Sequence, residues 1–120
     1  MELNFLDTYA LIEMAKGKNQ AFRRFLESRN ITTKLNLMEL YYVYLREGQK
    51  ETGLQLYKQF SGICVPLYDE ILTKAAELRL EFKKRDLSYT DCIGYLIARK
   101  LGIKFVTGDS KMRDFNLLIL

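Results

Sequence analysis

The stretch Leu87-Ser88-Tyr89-Thr90-Asp91-Cys92-Ile93-Gly94-Tyr95-Leu96-Ile97-Ala98, followed by Lys104-Phe105-Val106-Thr107-Gly108-Asp109, decides the fold class. Its first part has a helical period: Ser88 is placed to cap, and Ile93, Leu96, Ile97 and Leu101 share a face that ends at Gly102. Its second part is a short apolar run, read as a strand. A helix feeding a short buried strand is half of a parallel βαβ unit.

The same alternation extends outward in both directions. Asn4-Phe5-Leu6-Asp7 reads as a first strand, followed by a helix using Leu11, Ile12 and Ala15 and broken at Gly17-Lys18-Asn19. Ala21, Phe22, Phe25 and Leu26 predict a second helix, and Ile31-Thr32-Thr33 a second strand. A helix over Asn36–Glu47 carries Leu37, Leu40, Tyr41 and Tyr44 on one face, and Gly53, Leu56, Tyr57 and Phe60 mark another. Ile63-Cys64-Val65-Pro66 is a third strand whose proline points to a strand end or an edge. The longest helix is expected from about Tyr68 to Arg85, with Ile71, Ala75, Leu78 and Phe82 buried, and Asn116 to Leu120 forms the last strand. No linker, repeat or low-complexity segment divides the 120 residues. The expectation is one α/β domain over residues 1–120, a mostly parallel sheet with helices on both faces.

Composition removes several chemistries. There is no histidine, so no Ser-His-Asp triad, Cys-His pair or histidine base is available. The two cysteines, Cys64 and Cys92, lie in apolar stretches without C-x-x-C spacing and read as core residues rather than zinc ligands. No apolar run approaches the ~20 residues that span a bilayer. The start, Met1-Glu2-Leu3-Asn4, lacks the basic segment of a signal peptide, and a cytoplasmic location without membrane contact is expected. Net charge is +4, a basic bias compatible with nucleic acid.

Four acids fall at one edge of such a sheet, where ligands bind beyond the carboxyl ends of the strands. Asp7 ends strand one, Glu39 lies in the first turn of the helix after strand two, Asp91 opens its helix and Asp109 follows the strand Lys104–Thr107. Singly, each has a structural explanation. Asp7 can cap a helix, Asn36-x-x-Glu39 and Ser88-x-x-Asp91 resemble capping boxes, and Asp109 suits a turn. Jointly, four converging carboxylates repel unless a divalent ion neutralises them. All-oxygen ligation suits Mg²⁺ or Mn²⁺, which acidify a bound water and offset charge on a phosphoryl oxygen.

These residues resemble the PIN-domain family, and within it the compact VapC-like toxin nucleases of toxin–antitoxin systems. The resemblance runs from Phe5-Leu6-Asp7-Thr8 through Asn36-Leu37-Met38-Glu39-Leu40 to the late block ending at Asp109. The family's aromatic after the last acid comes late here, as Phe115. The resemblance implies a three-layer α/β/α fold with a five-stranded sheet of order 3-2-1-4-5. It further implies metal-dependent cleavage of RNA by Asp7, Glu39, Asp91 and Asp109, a homodimer, and inhibition by a small antitoxin protein. A non-catalytic PIN-like RNA-binding or assembly module, or an RNA-processing nuclease, is the alternative.

Other residues have weaker claims. Thr8 and Thr107 match hydroxyl positions beside the acids, or serve capping and strand propensity. Lys111 and Arg113 could hold a substrate phosphate, or be solvated loop charges, and Arg23 and Arg24 are candidates for an RNA-facing surface. Lys83-Lys84-Arg85 and Arg99-Lys100 sit at helix C-termini, where cations offset the macrodipole. Tyr42 lies off the core face of its helix and is a candidate contact for a partner.

Overall fold

Two pairs of adjacent residues organise the molecule. Phe5 and Leu6 end β1 (Leu3–Leu6), and Phe105 and Val106 stand at the centre of β3 (Lys104–Thr107). The strands pair in parallel with Phe5 opposite Phe105 and Leu6 opposite Val106. Because successive strand side chains point to opposite faces, each strand delivers one residue to each side of the sheet. Phe5 and Phe105, with ring centroids 5.5 Å apart, enter a core with Ile71, Ala75, Cys92, Ile93 and Ile97. Leu6 and Val106 enter a second core with Leu11, Phe22, Phe25, Leu37, Leu40 and Tyr44. Strands buried on both faces need helices on both faces, and the adjacent pairs Phe5-Leu6 and Phe105-Val106 are apolar on both sides for that reason.

The computed structural model describes residues 2–23, 25, 28–108 and 118–119, the last two by backbone alone. β1 and β3 are flanked by β2 (Arg29–Ile31) and β4 (Leu118–Ile119), giving a wholly parallel sheet of order β2-β1-β3-β4. The helices are α1 (Thr8–Lys16), α2 (Gln20–Arg23), α3 (Lys34–Arg46), α4 (Lys50–Phe60), α5 (Asp69–Glu81) and α6 (Tyr89–Leu101). The α1–α4 group covers one face and α5 and α6 the other.

Four assignments differ from expectation. The predicted third strand is reduced among the described residues to one parallel bridge, Thr32 with Cys64, because Ser61–Ile63 coils into a 3-10 turn and Pro66 follows. β2 ends at Ile31, and Thr33 is not a strand residue but the N-cap of α3, its side chain accepting from Asn36 N–H. α3 therefore starts before Asn36, and α5 stops at Glu81 before a separate 3-10 turn, Lys83–Arg85. Leu26 and most of the predicted last strand lie outside the described residues.

Helix α6 reaches its strand through Gly102 and Ile103 and so runs antiparallel to the sheet. It lies flat there because Gly94 has no side chain: a Cβ at that position would stand 2.6 Å from Cε1 of Phe5 and 3.4 Å from Cε1 of Phe105. This contact fixes the height of α6 over the strands and, with it, the level at which its first turn emerges.

Candidate active site

Asp7 is the first residue beyond β1 and is buried. Its backbone N–H donates to Val106 C=O at 3.2 Å, and its Oδ1 accepts from Ala10 N–H at 2.8 Å, so the side chain caps α1. The β1–β3 register, continued one step, sets Asp7 beside the fully buried Thr107. Capping engages Oδ1, but an ionised carboxylate accepts on both oxygens, so a cap can also serve as a ligand.

Glu39 is joined to Thr8, the residue after Asp7, by a relay of hydrogen bonds. Thr33 Oγ1 donates to Asn36 Oδ1 at 2.6 Å, Asn36 Nδ2 donates to Thr8 Oγ1 at 3.1 Å, and Thr8 Oγ1 donates to Glu39 Oε1 at 2.6 Å. The directions are set by chemistry. An amide nitrogen can only donate, so the Thr8 hydroxyl uses a lone pair on Asn36 and keeps its proton for Glu39. Glu39 is in the second turn of α3 rather than the first, because the helix begins at Lys34. Helical side chains tilt toward the N-terminus, which lets Glu39 reach back to the sheet edge. Thr32 Oγ1 donates to Leu6 C=O at 2.8 Å and ties the two strand ends together.

Asp91 approaches the same edge from the other face. Gly94 rests on Phe5; Asp91 lies three residues back along α6, about 4.5 Å nearer the carboxyl edge. Asp7 is two residues beyond Phe5, about 6.6 Å in the same direction. Asp91 is half-buried and closes a capping box: Ser88 N–H donates to its Oδ2 and its own N–H donates to Ser88 Oγ, both at 3.0 Å. The box expected at Ser88-x-x-Asp91 is present, whereas that at Asn36-x-x-Glu39 is replaced by Thr33 and Asn36.

Over residues 5–117 the chain matches the family model of the PIN domain. It belongs to the PIN-domain family. Its fold is similar to that of Mycobacterium tuberculosis VapC20, a sarcin-ricin loop cleaving toxin, with a TM-score of 0.79 at 16% identity over 98% of each chain. DNA-bound VapBC from Salmonella typhimurium aligns with a TM-score of 0.75 at 21% identity, over 99% of this chain and 96% of that one. VapBC2 from Rickettsia felis, bound to a DNA fragment from their promoter, aligns with a TM-score of 0.69 at 20% identity over 98% and 96%. At these identities the likeness is one of fold. No curated protein matches the chain.

In this PIN domain the described acids do not by themselves form a closed ligand set. Among the described residues no three acidic or cysteine side chains gather closely enough to hold a metal ion. Asp109, Lys111, Arg113, Phe115 and Arg24 lie outside the described residues. What Asp7, Glu39 and Asp91 offer is an all-oxygen donor set, with Thr8 and Thr107 hydroxyls beside it, which fits a hard divalent cation. Both cysteines stay protonated. Burial, then the neighbouring Asp91 carboxylate, pushes Cys92 up to about 11 against a smaller opposing pull from Arg79. Burial also raises Cys64, which is half-buried rather than in the core, while Lys34 pulls it down slightly.

Asn36 is the residue whose role the sequence hides. It was assigned to capping, but its side chain, 1% exposed, links Thr33 to Thr8. The available signal was Thr33 with a polar residue three positions on, a cap pattern starting earlier than the apolar period of α3. The tyrosines divide as their helical positions require: Tyr44 is buried, Tyr41 packs edge-on to Tyr57 at 6.4 Å, and Tyr42 is exposed beside Arg46. Arg23 is exposed, and the cations of Lys83–Arg85 and Arg99-Lys100 stand at the ends of α5 and α6.

Proposed function

We propose that this PIN domain is a metal-dependent endoribonuclease and the toxin of a type II toxin–antitoxin pair. The observation that carries the reading is the 2.6 Å bond from Thr8 to Glu39, which joins the second acid to the residue after the first across 31 positions of sequence. The similar folds among VapC and VapBC proteins support the toxin assignment.

Asp7, Glu39, Asp91 and Asp109 would hold Mg²⁺ or Mn²⁺. Bound there, the ion would supply positive charge for the phosphoryl oxygen and acidify water for the attack. The protein's own part is positional. Thr8 aims one oxygen of Glu39, Asn36 fixes the direction of that bond, and the α1 cap holds Asp7. Thr107 lies beside Asp7, and Lys111 and Arg113 are assigned to substrate phosphate. The segment around Cys64 counts as the remaining strand of the five-stranded order 3-2-1-4-5. A small antitoxin, a homodimer and a cytoplasmic location complete the reading; no helix among the described residues is long and apolar enough to cross a membrane.

Product ends test the chemistry. Attack by the RNA's own 2′-hydroxyl needs an acid and a base poised near neutrality, and this chain has no histidine and no cysteine with a lowered pKa. Cleavage is therefore expected to leave 5′-phosphate and 3′-hydroxyl ends and to survive a 2′-deoxy substitution at the scissile nucleotide. Asp91→Asn or chelator should abolish it. Cyclic phosphate ends, or full cutting by purified Asp91→Asn protein in chelator, would overturn the mechanism.

A further inference from the structure

On the far side of α6 from Asp91 lies a cleft that the catalytic reading leaves unused. Ala76, Arg79 and Leu80 of α5, with Lys83 just beyond it, recur at the spacing of one helical face. They face Leu87 and Tyr89 at the start of α6 across a cavity of about 270 Å³. Arg79 is anchored there twice. Its Nε donates to Leu87 C=O at 3.0 Å, and its guanidinium lies over the Tyr89 ring, 4.2 Å from the centroid. The Nε bond leaves the two Nη groups as further donors on the wall of the cleft. Tyr89 is 56% exposed although one ring face is covered by Arg79. Asp86 also lines the cleft, so two cations stand against one acid.

We propose that this cleft is a nucleobase subsite for single-stranded RNA: a base stacks on the Arg79–Tyr89 pair, and Lys83 meets the adjoining phosphate. An immobilised guanidinium–aromatic pair is a stacking platform for any base, and flanking cations track the backbone. The volume lies below the usual range for a whole small-molecule ligand, roughly 300–1,000 Å³, and suits one unit of a polymer. Position supports the same assignment. Tyr89 and Asp91 are two residues apart on one helix and so point to nearly opposite sides, separated by no more than a helix width of about 10–12 Å. A strand running from the acids around the end of α6 reaches the cleft within a few nucleotides. The proposal rests on the RNA-cleaving reading and adds a recognition site to it.

The chain has no tryptophan, so Tyr89→Trp introduces at the platform a single tryptophan that can be excited apart from the tyrosines. In chelator, where cutting is suppressed, a short single-stranded RNA should quench that reporter, whereas inorganic polyphosphate and a glutamate decamer should not. By anisotropy, Tyr89→Ala should bind the same RNA roughly five- to a hundredfold more weakly, with Tyr89→Phe close to the parent. Lys83→Ala should reduce the slope of log affinity against log salt by about 0.7. Tyr89→Ala is at a solvent-exposed position and spares the Ser88–Asp91 box, so its melting temperature should hold. RNA that binds the parent and Tyr89→Ala equally, or leaves the reporter unquenched at saturation, would overturn the subsite while leaving the nuclease reading intact. Quenching by polyphosphate would reassign the cleft to phosphate alone, and quenching by the glutamate decamer to an acidic protein segment. Failure of the parent to bind or cut any RNA would sink both.

Discussion

Glu39 and Asp91 sit on helices that start at the same edge of the sheet, yet they are held in opposite ways. Asp91 is locked by Ser88, three residues away, in a box made wholly within the first turn of α6. Glu39 is held by Thr8, 31 residues away, and only because α1 and α3 pack together. The first arrangement can form as soon as its helix forms. The second exists only in the folded domain, and its geometry is exposed to anything that shifts α1 against α3. One acid is therefore positioned by local sequence and the other by tertiary structure.

The largest expected effect tests whether both acids do chemistry. Glu39→Gln and Asp91→Asn each keep an oxygen that can accept the bond seen here, so each variant should unfold within about 0.5 kcal/mol of the parent in urea. Cleavage should fall by more than about a hundredfold in both, since even outer-shell changes around a metal site cost 10–100-fold. If one variant keeps a tenth or more of the activity, that acid is a structural element and the comparison is between a site residue and a cap.

Next in size is the break in the long-range arm. Thr8→Val removes the donor to Glu39 and leaves the buried Asn36 amide without its acceptor. Stability should drop by about 1–3 kcal/mol and cleavage by roughly 10–100-fold. Thr8→Ser, which retains the hydroxyl, should restore both. A valine variant that cuts like the parent would show that Glu39 needs no aiming.

This contrast also explains what could be read in the sequence. The Ser88-x-x-Asp91 box and the Lys104–Thr107 strand were legible because each is a local pattern. The start of α3 was not. Thr32 and Thr33 have strand propensity, and their true roles, a tie to Leu6 and a helix cap, depend on the neighbouring strand and on Asn36. The Thr8–Asn36–Thr33 relay was illegible for the same reason: no spacing rule connects residues 28 apart. Cys64, expected in the core from its apolar neighbours, is half-buried, and among the described residues its segment forms one bridge rather than a strand.

A smaller effect sharpens the independence of the two arms. Ser88→Ala should cost about 1 kcal/mol through loss of the cap. Combined with Thr8→Val, its effect on urea stability should add to within about 0.5 kcal/mol, because the Ser88–Asp91 bonds and the Thr8–Glu39 bond have no residue in common. Thr8→Val combined with Asn36→Leu should instead depart from additivity by roughly 0.5–3 kcal/mol, since the double change removes a stranded polar group that the single change creates. Strong coupling between Ser88 and Thr8 would mean that the two faces of the site are mechanically linked through the sheet.

The smallest effect is invisible at neutral pH and appears only in alkali, on the Asp91 arm. Cys92 follows Asp91, is fully buried on the core face of α6, and its thiol is raised from an ordinary value of 9.0 to about 11. Burial is the larger cause and the Asp91 carboxylate the next, with Arg79 partly offsetting them. In the unfolded chain this thiol ionises near pH 9, while in the folded chain it holds its proton to about pH 11. The folded state thus binds more protons across that window, and stability must fall as pH rises through it. Below pH 9 the contribution is constant, so Cys92→Ala should change stability there only through packing. Between pH 9 and 11, in chelator, the parent should lose stability more steeply than Cys92→Ala. Lysine and tyrosine titrations are common to both proteins and cancel in the difference. Asp91→Asn removes the neighbouring negative charge, so it should lower the folded thiol's pKa and shrink that difference, whereas Glu39→Gln, on the opposite arm, should leave it unchanged. Parallel curves for parent and Cys92→Ala would show that the thiol ionises alike in both states and that Asp91 exerts no pull on it.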